Sequence, residues 1–156
     1  MVRIFALALV FSSFLAGSQV FGAPAKEIVA RQIGDLQCNV DRLSIVAGLA
    51  TTQGTLKKLS QQLAQSDPTS AASVESAADS ISGAQGAIGV IAKALLTGQT
   101  APAEARNQVL GNLTAAHDTL AAINSTDSTA SATLQKALSE LNDSAEAGNG
   151  VVENCK

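Results

Sequence analysis

From Val74 the large aliphatic side chains recur at Ile81, Ile88 and Leu95, seven residues apart, with Ala77, Ala84 and Ile91 along the adjoining line. That spacing marks one face of a helix whose stripe must be covered by a neighbour. Its largest members are isoleucine and leucine. All four phenylalanines (Phe5, Phe11, Phe14, Phe21) fall in the first 21 residues, and the chain has no Tyr or Trp. Whatever follows residue 22 must therefore build its core from aliphatic side chains alone.

The same rhythm organises the rest. Asp67 before Pro68 is a helix start, an acceptor for the first free amides followed by a residue that needs no hydrogen bond in the first turn. Gly98 supplies the stop. Another helix is expected from near Pro102, with Glu104 in its first turn and a stripe of Val109, Leu113, Ala116, Leu120 and Ile123. The polar run NSTDST at 124–129 separates it from a last helix, with Asp127 or Ser128 as the cap. That helix carries Leu134, Leu138, Leu141, Ala145, Gly148, Val152 and Cys155, which predicts a buried position for the final cysteine.

Upstream, two stripes compete. Val29, Ile33, Leu36, Val40 and Leu43 lie on one side of a helical wheel, and Ile45, Leu49, Leu56, Leu59 and Leu63 lie nearly opposite, on the side of Cys38. A bend or break near Gly48 to Gly54 would let both be covered. The expected fold is all-α, an antiparallel bundle of four long or five shorter amphipathic helices. Gly83, Gly86 and Gly89 are expected to let neighbouring backbones approach closely. No strand precedes GAQGAIG, so it is not read as a phosphate loop.

The opening MVRIFALALVFSSFLAGSQVFG combines Arg3, an apolar core from Ile4 to about Ala16 and small residues, the pattern of a signal peptide over residues 1–22. The apolar core is shorter than a membrane helix requires. Residues 23–156 then form a single helical-bundle domain with nine basic and thirteen acidic residues. That balance, with no aromatic to stack on a base, argues against nucleic acid. In a secreted chain Cys38 and Cys155 are expected to form one disulfide, free thiols being the other reading. It would close a loop of over a hundred residues. The close VVENCK offers no hydrophobic tail for a glycolipid anchor.

Catalytic chemistry finds little to stand on. The single histidine, His117, sits at the edge of the third-helix stripe, and consecutive residues of a helix, such as His117 and Asp118, are not expected to face one another. Glu75, Asp79, Glu140 and Glu146 are placed on outer faces. No catalytic residue, metal set or cofactor is assigned. Asn112, Asn124 and Asn142 stand in glycosylation sequons, and Asn124, in a predicted loop, is the best acceptor.

What remains is aliphatic surface. Helices without aromatic anchors should separate more readily, and their stripes would regain apolar contact at a wax, an oil or a lipid chain. The segments LQCNVDRLSIVAGL, GAIGVIAKALLTGQTAPAEARNQV, LTAAHDTLAAI and VVENC, covering most of residues 36 to 155, resemble the hydrophobic surface binding protein A family, small secreted fungal proteins related to cell wall galactomannoproteins. The resemblance implies a secreted or wall-associated helical protein that adsorbs to hydrophobic surfaces and helps recruit secreted hydrolases. Related wall mannoproteins hold fatty acids between helices, which gives the alternative of a lipid-binding protein with an apolar cavity. An inhibitor of secreted glycosidases or esterases is a further alternative, since such inhibitors also use small helical bundles. The residues expected to touch an apolar ligand or surface are Ile81, Ile88, Ile91, Leu95, Leu113 and Leu120.

Overall fold

The computed structural model describes residues 36–155, within which the chain forms four helices: α1 Leu36–Leu63, α2 Pro68–Leu96, α3 Ala103–Ala121 and α4 Ser128–Asn154. The leader expected over residues 1–22 lies outside the described residues, as do Val29 and Ile33.

The helix ends follow from local chemistry. The Ser70 amide donates to Asp67 Oδ1 at 3.0 Å and the Ser70 hydroxyl to Oδ2 at 2.6 Å, while Pro68 fills the first position of α2. At the far end the Gly98 amide donates to the Leu95 carbonyl, and φ 74 at Gly98 lets the Gln99 amide reach the Ala94 carbonyl. Asp127 caps α4, accepting from the Ala130 amide at 2.7 Å.

The break expected near Gly48 to Gly54 does not occur; α1 runs through both glycines. Gly48 serves packing instead. A Cβ there would run into the Ser144 hydroxyl of α4, a Cβ on Gly150 would lie 2.7 Å from Asp41 Oδ2, and one on Gly148 would lie 3.3 Å from Ile45 Cδ1. Small residues thus hold α1 and α4 close along their length. The Thr52 and Ser144 hydroxyls, buried in this seam, return to the carbonyls of Gly48 and Glu140 four residues earlier, so neither is stranded. On α2 the expectation holds only for Gly83, whose Cβ would meet Asn112 Oδ1 at 2.8 Å; Gly86 and Gly89 face open space.

Sequence neighbours run antiparallel, as does α1 against α4. The most extensive packing pairs α1 with α4 and α2 with α3, whereas α1 meets α2 less and α3 meets α4 least. Gln53 ties α1 to α2 by donating to the Ala78 carbonyl at 3.2 Å and to Ser82 Oγ at 2.8 Å. Of the two stripes on α1, the one holding Cys38, Ile45, Leu49, Leu56, Leu59 and Leu63 is buried, while Leu36, Val40 and Leu43 remain exposed.

Burial is uneven along the bundle axis. On α2, Val74 and Ile81 are fully buried, yet Ile88 and Leu95, one and two heptads further along the same line, are half-buried. On α4, Leu134 and Leu141 are buried while Val152 is 71% exposed. The shared core therefore lies toward the end that carries the short connections 64–67 and 122–127. Toward the other end, the buried apolar residues Cys38, Ala87, Ala94 and Ala105 fall outside that core.

Cys38 and Cys155 form the predicted disulfide, with Cα atoms 5.0 Å apart. Cys155 caps α4 and is half-buried rather than on a continuously buried stripe, because near Val152 the contacts of α4 are with the start of α1. Asp41 closes that end: it accepts from Gln37 Nε2 and from Asn154 Nδ2, each at 2.8 Å.

The link spans 117 residues, so the Cys38→Ser/Cys155→Ser double variant should lose about 4 to 5 kcal/mol in chemical denaturation, and a loss below about 1 kcal/mol would contradict the assignment. The Ser70 hydroxyl and amide also hold the Asp67 carboxyl below its ordinary value of 3.8. A carboxyl depressed in the folded state stabilises above its unfolded pKa, and that contribution is lost as pH falls through the folded value. Asp67→Asn keeps an acceptor but cannot titrate, so its melting temperature should fall less steeply than that of the parent below about pH 4.

Candidate apolar surface

Aliphatic residues on α1 fall on both faces, which leaves that helix scarcely amphipathic and leaves Leu36, Val40, Leu43 and Val46 in its first half exposed. Across the described residues, the exposed large aliphatics are Leu36, Val40, Leu43, Val46, Val90, Leu96, Leu110 and Val152. They come from the first half of α1, the last turns of α2, the first half of α3 and the last turns of α4. In an up-and-down bundle those four segments share one end, the end opposite the closed core. Leu96 at 87% and Leu36 at 82% are among the most exposed, which marks this end as the place where apolar surface meets solvent.

The residues predicted to touch an apolar phase divide by depth. Ile81, Leu113 and Leu120 are buried in the core beneath the closed end. Ile88, Ile91 and Leu95 are half-buried and lie toward the open end, with Ile88 packed on the margin of the core. The exposed Val90 and Leu96 flank them in sequence on α2, and the exposed Leu110 lies on α3. None of these three is singled out in the sequence, because they lie off the main stripes and stripe spacing gives a face and not its depth along the axis.

Near the closed end, a shallow depression open to solvent is lined by Pro68, Thr69, Ala72, Ser73, Ser76 and Thr119. Its hydroxyls and small side chains give an apolar chain little to grip. His117 Nδ1 and Asp118 Oδ1 come within 3.4 Å, contrary to the expectation that consecutive residues would not face one another, since both exposed side chains lean together in solvent. Glu75, Asp79 and Glu146 are on the surface as expected. Glu140 is not: its side chain is 14% exposed, with Oε1 3.7 Å from Lys136 Nζ and Oε2 lacking a hydrogen-bond partner. Among the described residues no group of three or more His, Cys, Asp or Glu could hold a metal ion, and no helix is long and apolar enough to cross a membrane.

The sequons differ in access. Asn124 and Thr126 are exposed in the connection 122–127, whereas Asn112 is half-buried against Gly83 and donates to the Gln108 carbonyl at 2.8 Å. Asn142 is exposed, but its partner Ser144 is buried.

No protein-family model, curated protein or solved structure matches this chain.

Expressed through a secretory pathway, the folded chain should carry glycan at Asn124 and not at Asn112. Peptide mass spectrometry after enzymatic deglycosylation reads this directly, and occupancy of Asn112 with Asn124 unmodified would overturn the ranking.

Proposed function

We propose that this chain is a secreted, non-catalytic protein that adsorbs to hydrophobic surfaces through the open end of its bundle. The observation that carries this reading is the gathering of the exposed large aliphatics at one end, together with the fall in burial along Val74, Ile81, Ile88 and Leu95. Contact with an oil or wax would return apolar area to an apolar phase at about 25 cal/mol per Å².

The connectivity says how that end would adapt. At the open end α1 is joined to α4 by Cys38–Cys155, and α2 is joined to α3 by residues 97–102. Each pair is therefore held together where the core is thinnest, and the yielding seams are those between pairs, α1 with α2 and α3 with α4. Parting them would bare Ile88, Ile91 and Leu95 first, and Ile81, Leu113 and Leu120 only with wider opening. The half-buried set lies within reach of a surface at small cost, while the deeper set keeps the helices assembled. The resemblance to the hydrophobic surface binding protein A family supports the same reading, and recruitment of secreted hydrolases to the coated surface is the role that it adds.

The test is retention on alkyl-coated beads by the full chain and by Val90→Ser/Leu96→Ser/Leu110→Ser. All three positions are exposed, so helical content should be unchanged while retention falls several-fold. Equal retention of the two proteins would contradict the reading. Saturable uptake of a fluorescent fatty acid without retention on beads would replace it with a lipid carrier.

A further inference from the structure

Asn149 followed by Gly150 is the chain's single Asn–Gly pair. With no side chain on the second residue, nothing hinders the approach of the Gly150 amide nitrogen to the Asn149 side-chain carbonyl, so this is the asparagine most open to attack by its own backbone. The structure places the pair in the last turns of α4, with Asn149 exposed. Helical geometry there commits the Gly150 amide to the Glu146 carbonyl and keeps it from turning on Asn149.

That geometry has little support from the local sequence. Gly148, Asn149, Gly150, Val151 and Val152 are all weak helix formers, and glycine is the weakest apart from proline. What holds the segment is α1. A Cβ on Gly150 would lie 2.7 Å from Asp41 Oδ2, so the glycine is what lets α4 seat on Asp41. Asn154 Nδ2 donates to the same carboxylate at 2.8 Å, and Cys155 is joined to Cys38. Close seating thus requires the very residue that makes Asn149 labile.

We propose that Asn149 is a deamidation site, silent while the end of α4 is seated on α1 and active when that end comes away. In the freed segment the Gly150 nitrogen bonds to Asn149 Cγ, the Cγ–Nδ2 bond breaks, and ammonia leaves with the proton that the Gly150 nitrogen gives up. Water then opens the five-membered succinimide at one carbonyl or the other, giving aspartate or isoaspartate; the net change is water taken up and ammonia released. Either product puts a negative charge near the C-terminus of the helix, where the dipole disfavours it. Isoaspartate also adds a methylene to the main chain ahead of Gly150, which shifts Gly150, Asn154 and Cys155 out of register with Asp41 and Cys38. Opening of this end is thereby recorded in the covalent structure, and its re-seating is impeded.

The proposal rests on the seam between α1 and α4 and does not depend on adsorption. Its test is incubation of the full chain at neutral pH, with residue 149 read by peptide mass spectrometry as the conversion of amide to acid and as isoaspartate. In the oxidised chain Asn149 should persist. Asn154→Ala keeps the disulfide and loses one tether, and should convert several-fold faster. Reduction of Cys38–Cys155 with a dithiol should accelerate conversion roughly tenfold or more, because the rate follows the population of the opened segment. Amide protection of residues 71–84 reports whether the core is intact in each sample, and Asn154→Ala decides the matter if reduction loosens the whole bundle. The isoaspartyl chain, isolated, reduced and reoxidised, should re-form Cys38–Cys155 more slowly than the parent. Equal conversion in the oxidised parent, Asn154→Ala and the reduced chain would overturn the proposal, as would Asn149 surviving intact after reduction. Re-formation of the disulfide at the parent's rate would overturn the effect on re-seating.

Discussion

Packing of aliphatic side chains between four helices, without a single aromatic anchor among the described residues, is the constraint from which the rest of the structure follows. A buried Leu, Ile or Val contributes about 1.5 to 3 kcal/mol, so stability requires many of them gathered together. They are gathered toward one end of the bundle. Leu49, Leu56, Leu59, Leu63, Val74, Ile81, Leu120 and Leu141 are almost fully buried and converge toward the connections 64–67 and 122–127. Away from that end the buried apolar side chains become cysteine and alanine, which bury far less apolar area each.

This gradient divides labour within one domain. On the proposed reading the closed end, where the largest buried aliphatics lie, would carry most of the packing, and the open end would present apolar surface. Local stability varies within proteins in this way, and surfaces that must adapt are drawn from the weaker regions. Two devices keep the weaker end from unravelling. Cys38–Cys155 and the Asp41 contacts with Gln37 and Asn154 hold α1 to α4, while the Gly98 turn holds α2 to α3. On the proposed reading, movement would be channelled into the separation of two intact helix pairs.

Much of the fold was legible because its boundaries are written in residues with one strong local preference. Asp67, Pro68, Gly98 and Asp127 each act within a turn of their own position, and their effects survive any tertiary arrangement. Gly48 and Gly54 misled because a glycine inside a helix signals either flexibility or close approach; only the position of Ser144 on α4 decides for close approach at Gly48, and Gly54 faces open space within an unbroken helix. The two stripes of α1 posed a similar problem, since a helical wheel ranks faces by hydrophobicity and both were apolar. The site was harder to read for a geometric reason. Ile81 and Leu95 share one line on α2, and nothing in their spacing reveals that the first lies under four helices and the second near an open end. Lines of exposed residues such as Leu36, Val40 and Leu43 were visible as patterns, but their partnerless state depends on where α4 and α2 come to rest.

The core occupies one end of the bundle, and the other end is proposed to yield to an apolar phase. Residue-resolved amide hydrogen exchange, in solution and on alkyl-coated particles, tests it most directly. In solution the amides of residues 71–84 should be protected well beyond those of 87–96 on the same helix, and adsorption should alter protection in 87–96 and 103–110 while leaving 71–84 unchanged. Uniform protection along α2, or loss of protection at 71–84 before 87–96, would contradict the account.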